Sequence, residues 1–283
     1  MIGFLLIDKP DGMTSHDVVA RVRRLTGEKR VGHAGTLDPF ATGLLVVGVG
    51  RVATREFPKL VGLGKEYEAE FLLGATSDTD DRTGMITPRI QSHFSGVPAG
   101  EPSGIPSTGG DGHVLLDGDG TKVPLNSIRS AIAELTGPIS QIPPNYSAIK
   151  IGGKKMYEAA REGKPMVAKA REVTVYKFEI VDEARRPPLS PPPYEEGELV
   201  RDGSLHVRIA CSTGTYIRSL ARDLGAKLGV GGYVQELRRT SVGPFRIEEA
   251  IPLKTLTPET VEAALLPVES VLSRVGASAT VKG

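Results

Sequence analysis

At 283 residues, with 39% hydrophobic and 24% charged side chains and a formal net charge of +1, the chain can bury a large core. That length suits one big domain, or one domain with a small appendage. No uninterrupted apolar run reaches the roughly 18 residues of a membrane span, and the N-terminus lacks the basic start and cleavage pattern of a signal peptide. The single cysteine, Cys211, excludes an internal disulfide and offers no metal cluster, so a soluble cytoplasmic protein is expected.

The chain opens with Phe4-Leu5-Leu6-Ile7, a short apolar run that reads as a buried strand. Lys9-Pro10-Asp11-Gly12 is a turn by composition. Thr14, with Asp17 three residues later, makes a capping-box-like helix start. Val18, Val22 and Leu25 then fall on one helix face, and Gly27 ends the helix. Next comes Gly32-His33-Ala34-Gly35-Thr36-Leu37-Asp38-Pro39-Phe40-Ala41-Thr42-Gly43, a loop of small residues holding one carboxylate. It runs straight into a second buried strand, Leu44-Leu45-Val46-Val47. Pro39 pushes Asp38 out of the α region, so its side chain projects from an extended or turn backbone. A carboxylate shown on such a loop suits a nucleophile or a general base, while Asp-Pro on its own equally well just opens a turn.

Residues 67–73 alternate like a strand with one wet face. Pro, Gly and Ser dominate residues 95–120, which read as a surface insertion without a packed core, within a boundary of about 89–121. A helix over residues 127–135 follows, stopped by Gly137-Pro138. Residues 186–193, rich in proline, mark a second insertion at about 184–201 with the character of a stiff hairpin extension. Another helix opens at Arg218 and stops near Gly229. After Phe245 only residues 251–272 are structured candidates.

Charge is unevenly spread. Residues 89–120 carry four acids against Arg89, and residues 182–202 carry six acids against three arginines, −3 in each case, which leaves +7 on the remainder. That balance is compatible with nucleic acid and does not demand it.

The loop does not stand alone. Residues 3–15, Lys65-Glu66-Tyr67, residues 141–150 (from Gln141-Ile142-Pro143-Pro144-Asn145-Tyr146 to Lys150), Gly214-Thr215-Tyr216-Ile217-Arg218 and Leu237-Arg238-Arg239 accompany it in order. Together these segments resemble the bacterial tRNA pseudouridine-55 synthase family from about residue 3 to about residue 250. The resemblance implies an α+β fold: a central mixed, mostly antiparallel sheet flanked by helices, with a thumb-like insertion over about 141–163. It divides the chain into a catalytic domain, 1–250, and a short C-terminal tail, 251–283, without the full RNA-binding domain that many relatives carry.

It also implies an activity, conversion of the T-loop uridine at position 55 of tRNA to pseudouridine. The base is flipped out of the loop, the C1′–N1 bond is broken, the base turns, and C1′–C5 is formed. The reaction needs no cofactor and no metal. Asp38 is then the catalytic carboxylate, Arg218 the cation that keeps it charged, and Tyr67 the tyrosine that stacks on the base. Tyr216, Leu237 and Lys9 line the base pocket, and His33 enters the space the flipped base leaves. Taken alone, Tyr67, Tyr216 and Leu237 would be ordinary core residues, and Lys9 and His33 ordinary turn and loop residues. Lys150, Lys154 and Lys155, around Gly152-Gly153 in the thumb, suit backbone phosphates. The expected partner is the T-arm stem-loop of tRNA, met by a monomer without a guide RNA and without a membrane. Two other readings remain open: an RNA-folding or RNA-binding protein with secondary catalysis, and a pseudouridine synthase acting on another RNA. The two insertions and the expected lack of a full C-terminal domain depart from the family pattern.

Overall fold

The computed structural model describes residues 1–89, 113–115, 122–147, 149–163, 166, 168–181 and 203–280. The two insertions expected at about 89–121 and 184–201 therefore lie almost wholly outside the described residues. What remains is built on one ten-stranded sheet. Its strands are β1 (Gly3–Lys9), β2 (Val31–His33), β3 (Thr42–Val49), β4 (Lys65–Leu73), β5 (Gly137–Gln141), β6 (Arg171–Ile180), β7 (Ser204–Cys211), β8 (Gly232–Val242), β9 (Phe245–Arg246) and β10 (Ile251–Pro252). The spatial order is β10-β1-β3-β8-β4-β7-β6-β5, with β2 paired to β3 and β9 to β8. The β1/β10 and β3/β8 pairs are parallel and the others antiparallel, the mixed and mostly antiparallel sheet expected from the sequence.

The apolar runs in β1 and β3 have a simple cause. Leu5, Ile7, Leu45 and Val47 face one core, while Phe4, Leu6, Leu44 and Val46 face another. Both faces of the sheet are covered there, so neither strand can alternate with polar residues. Helix α1 (Ser15–Thr26) packs Val18, Val19 and Val22 into the first core. Its capping box is formed: the Asp17 amide donates to Thr14 Oγ1, and the Thr14 amide donates to the Asp17 carboxylate. Gly27 ends it in the left-handed conformation.

Helices α2 (Gly50–Arg55) and α3 (Phe57–Val61) follow β3, and α4 (Leu125–Glu134) begins two residues before the start read from the sequence. In the thumb, Lys150–Ile151 pairs with Lys154–Lys155 around Gly152 and Gly153, both at positive φ, ahead of α5 (Met156–Arg161). What the sequence suggests as a hinged loop is thus a tight hairpin, of the kind that a pair of glycines favours. The side chains of Lys150, Lys154 and Lys155 are outside the described residues. Helix α6 (Ile217–Lys227) lies against β8 and the core. Beyond it, Leu253, Leu256 and Val261 bury in the first core, and α7 (Val268–Thr280) places Val268 and Val271 in the second. The stretch expected as a tail is thus part of the packed body as far as α7.

Candidate active site

The Asp38 loop leaves β2 at His33 and enters β3 at Thr42, beside the middle of the sheet. Its backbone is clamped from several sides. Ser15, the first residue of α1, donates from Oγ to the Leu37 carbonyl and accepts from the Leu37 amide. The Gly12 amide and the Lys9 ammonium both donate to the Pro39 carbonyl. Arg239, fully buried, donates to the carbonyls of Gly35, Thr36 and Leu44. The Ala41 amide bonds back to the Asp38 carbonyl, closing the turn that Pro39 favours. These clamps fall on backbone atoms and leave the Asp38 carboxylate to face outward.

That carboxylate meets Arg218. The guanidinium donates from Nε to Oδ2 and from Nη2 to Oδ1, both at 2.9 Å, in the fork geometry that makes such pairs strong. Arg218 is the second residue of α6, where a helix N-terminus is unfavourable for a cation. Burial also works against its charge, but Asp38, Asp81 and Asp80 outweigh both and raise its pKa. Nη1 donates to the Thr79 carbonyl, and Nη2 donates to the Tyr146 carbonyl as well as to Asp38. Arg218 thus ties together the Asp38 loop, the turn 78–84 and the base of the thumb.

A cavity of about 250 Å³ opens beside this pair. Asp38, Tyr67, Tyr216, Arg218 and Leu237 all line it, together with Lys65, Ser147, Arg239 and residues 213–215. The sheet register explains this meeting. Tyr67 on β4 sits opposite Arg239 on β8, and Leu237 lies two residues along the same strand. The register of β8 shifts between Arg239 and Ser241, an irregularity of the kind that re-aims side chains near sites. Gly43, at φ +99°, lets β8 come close: a Cβ there would sit 2.4 Å from the Arg239 carbonyl oxygen.

Burial pushes the Tyr67 phenol up in pKa, against the pull of Arg239, so it stays protonated at neutral pH. Burial pulls the Lys65 ammonium, which donates to the carbonyls of Val61 and Leu63, down to about 8. Tyr216 caps α6; Gln141 holds its backbone through both its amide and its carbonyl.

Two expected site residues sit elsewhere. Lys9 is fully buried and is not among the residues lining the cavity; its ammonium braces the carbonyls of Pro10, Met13 and Pro39. Burial brings its pKa down to about 8, with Asp11 and Asp38 pulling the other way. His33 lies on β2, outside the cavity lining, with its ring edge-on to His16 at 5.5 Å. Burial and the neighbouring His16 lower its pKa to about 4, and its Nδ1 is buried without a hydrogen-bond partner.

Sequence reasoning also missed residues. Arg239 was visible only as the end of a Leu-Arg-Arg motif, and nothing in it signalled a buried guanidinium. Asp81 sits in a run, Asp78-Thr79-Asp80-Asp81, that reads as a polar turn. Its carboxylate accepts from the Thr83 amide, Thr83 Oγ1 and Thr79 Oγ1, and its other oxygen lies 3.5 Å from Arg218. Among the described residues, no group of three or more His, Cys, Asp or Glu side chains is placed to hold a metal.

Comparison with known proteins is consistent with this geometry. A model of the TruB family pseudouridylate synthase N-terminal domain matches residues 23–97 and 107–217, and one of the tRNA pseudouridylate synthase B C-terminal domain matches 218–273. The chain is 45% identical over 271 residues to tRNA pseudouridine synthase B of Leifsonia xyli subsp. xyli, covering 96% of this chain and 76% of that protein. It is 44% identical over 258 residues to the protein of the same name from Thermobifida fusca, covering 91% and 75%. Among solved structures, a Cbf5-Nop10-Gar1 complex matches with a TM-score of 0.62 at 27% identity, over 96% of this chain and 62% of that one. An H/ACA RNP bound to a substrate RNA containing 2′-deoxyuridine matches with a TM-score of 0.59 at 26% identity, over 96% and 61%. With a family model spanning most of the chain and relatives this similar over most of their own length, the chain belongs to the TruB family of pseudouridylate synthases.

Proposed function

We propose that this protein, a tRNA pseudouridine synthase by family, acts on the T-loop uridine at position 55 and uses Asp38 as its catalytic carboxylate. The observation that carries this reading is the forked Asp38–Arg218 pair at the wall of a cavity lined by Tyr67 and Leu237. The uridine leaves its stack at a cost of a few kcal/mol and enters base-first, with the ring against Tyr67 and Leu237. Its ribose then lies beside Asp38. The carboxylate assists the break of the C1′–N1 bond, by attack on the sugar or base or by taking a sugar proton. The detached base turns, C5 bonds to C1′, and the proton lost from C5 is balanced by one taken up at N1, so the product is an isomer of the uridine. Nothing is oxidised or reduced.

The cationic lining supports the same reading. Lys65, Arg218 and Arg239 line the cavity alongside Asp38, and a base leaving its sugar carries the bond's electron pair as negative charge. Fixed cations in a confined site stabilise such a charge without having to reorganise. Residues 1–250 would form the catalytic unit, against which the stretch from 251 through α7 packs. His33 would fill the gap in the loop, the thumb lysines would meet its phosphates, and the enzyme would act as a cytoplasmic monomer without a guide RNA. No helix among the described residues is long and apolar enough to cross a membrane. The test is incubation of the purified protein with an isolated T-arm stem-loop, followed by pseudouridine mapping. Conversion of that one uridine is the expected result. A requirement for another RNA, or for a guide, would refute the reading.

A further inference from the structure

We propose that Arg171 is the phosphate-binding residue at the mouth of the cavity, taking the phosphodiester next to the flipped uridine. This rests on the T-loop reading above and adds a contact to it. Arg171 begins β6 and is half-buried, with its guanidinium carbon 5.4 Å from the centre of the Tyr216 ring, within cation–π range. Tyr216 lines the cavity, and so does Gly214, whose Cβ position would be 3.8 Å from Arg171 Nη1. Arg171 is not itself among the lining residues, but Gly214, at φ +86°, places no side chain against its guanidinium.

The arrangement is held in place. Arg171 pairs directly with Gln141 across β6 and β5, and the Gln141 side chain fixes the Tyr216 backbone. The platform and the cation stacked on it therefore share one anchor. Among the described residues Arg171 forms no salt bridge, unlike Arg218, Arg222 and Arg238, which all face carboxylates. A stacked, planar guanidinium with free N–H donors is preorganised for a phosphate, which it can grip with two parallel hydrogen bonds. Position supplies the rest. A nucleotide inserted base-first leaves its ribose at Asp38 and its phosphates at the exposed rim, where Thr213 and Gly214 lie.

The test measures binding of the T-arm stem-loop across salt concentrations, together with single-turnover conversion, for wild type, Arg171→Gln and Arg171→Lys. Arg171→Gln is expected to bind about tenfold more weakly, as for loss of a charged hydrogen bond. Its plot of log affinity against log salt is expected to be shallower by about 0.7–1, one phosphate contact. The loss should fall on binding more than on the rate at saturating RNA. Arg171→Lys should recover the slope, which a merely structural support of Tyr216 would not do. A stem-loop with a methylphosphonate next to the target uridine should weaken wild type and leave Arg171→Gln unaffected. An unchanged salt slope in Arg171→Gln, or additive losses with the methylphosphonate, would overturn the assignment. If wild type itself makes no pseudouridine on the stem-loop, the functional reading fails first and independently of Arg171.

Discussion

Two aspartates meet Arg218, and they are held in opposite ways. Asp38 touches it with both oxygens and keeps 32% of its side chain exposed, while Asp81 is 5% exposed and receives three further hydrogen bonds from Thr79 and Thr83. Apart from Arg218, the polar clamps on the Asp38 loop fall on its backbone, so its carboxylate keeps one open side toward the cavity. The turn 78–84 is held by its carboxylate, so nothing of Asp81 is left for chemistry. Identical side chains beside the same cation thus differ in exposure and in hydrogen-bond partners, one open to the cavity and one enclosed in its turn.

Removing the shared cation should give the largest effect. Arg218→Met leaves two carboxylates facing a buried gap, which costs roughly 3–5 kcal/mol for a broken buried pair. Urea unfolding should show that loss, and turnover should fall by on the order of 10²-fold or more. A variant of normal stability and activity would break the comparison at its centre.

Asp81→Asn sharpens it. The amide keeps the shape but cannot accept every bond the carboxylate accepts, so stability should drop by about 1–3 kcal/mol. Asp38→Asn keeps an amide oxygen that can accept from Arg218 and leaves Asp81 beside the buried cation, so it should cost less, about 1 kcal/mol. If the two substitutions destabilise equally, the division between the aspartates is wrong. At Gly43, alanine would be strained at φ +99° and would strike the Arg239 carbonyl, so Gly43→Ala should cost about 2–3 kcal/mol in the same assay.

A further effect, confined to acid pH, is expected at His33. Its pKa is lowered from 6.5 to about 4, so protonation is resisted by the folded chain and not by the unfolded one. The stability this contributes is present above pH 6.5 and is lost as pH falls toward 4. His33→Asn should therefore lose less stability than wild type between pH 6.5 and pH 4. Parallel pH profiles for the two proteins would show that His33 does not titrate in this window.

Much of this was legible in the chain itself. The periodicity of α1 with its Thr14–Asp17 cap, the runs in β1 and β3 and the Asp38 loop are local patterns, and local patterns survive folding. The meeting of Asp38, Tyr67, Arg218 and Leu237 was reached only through a family resemblance, since no spacing rule joins residues 180 positions apart. Lys9 and Arg239 show why the rest was hidden. Both are cations with no room in a rule that puts charge outside, yet both bury fully because backbone carbonyls of the Asp38 loop accept their protons. That depends on a loop shape no residue pattern encodes.

The central claim, that Asp38 carries out the chemistry, is tested most directly by the single-turnover rate of Asp38→Asn on a saturating T-arm stem-loop, with RNA affinity measured alongside. A rate lower by roughly 10³-fold or more, at affinity within a few-fold of wild type, is the expected result. A rate within tenfold of wild type in a correctly folded variant would contradict it.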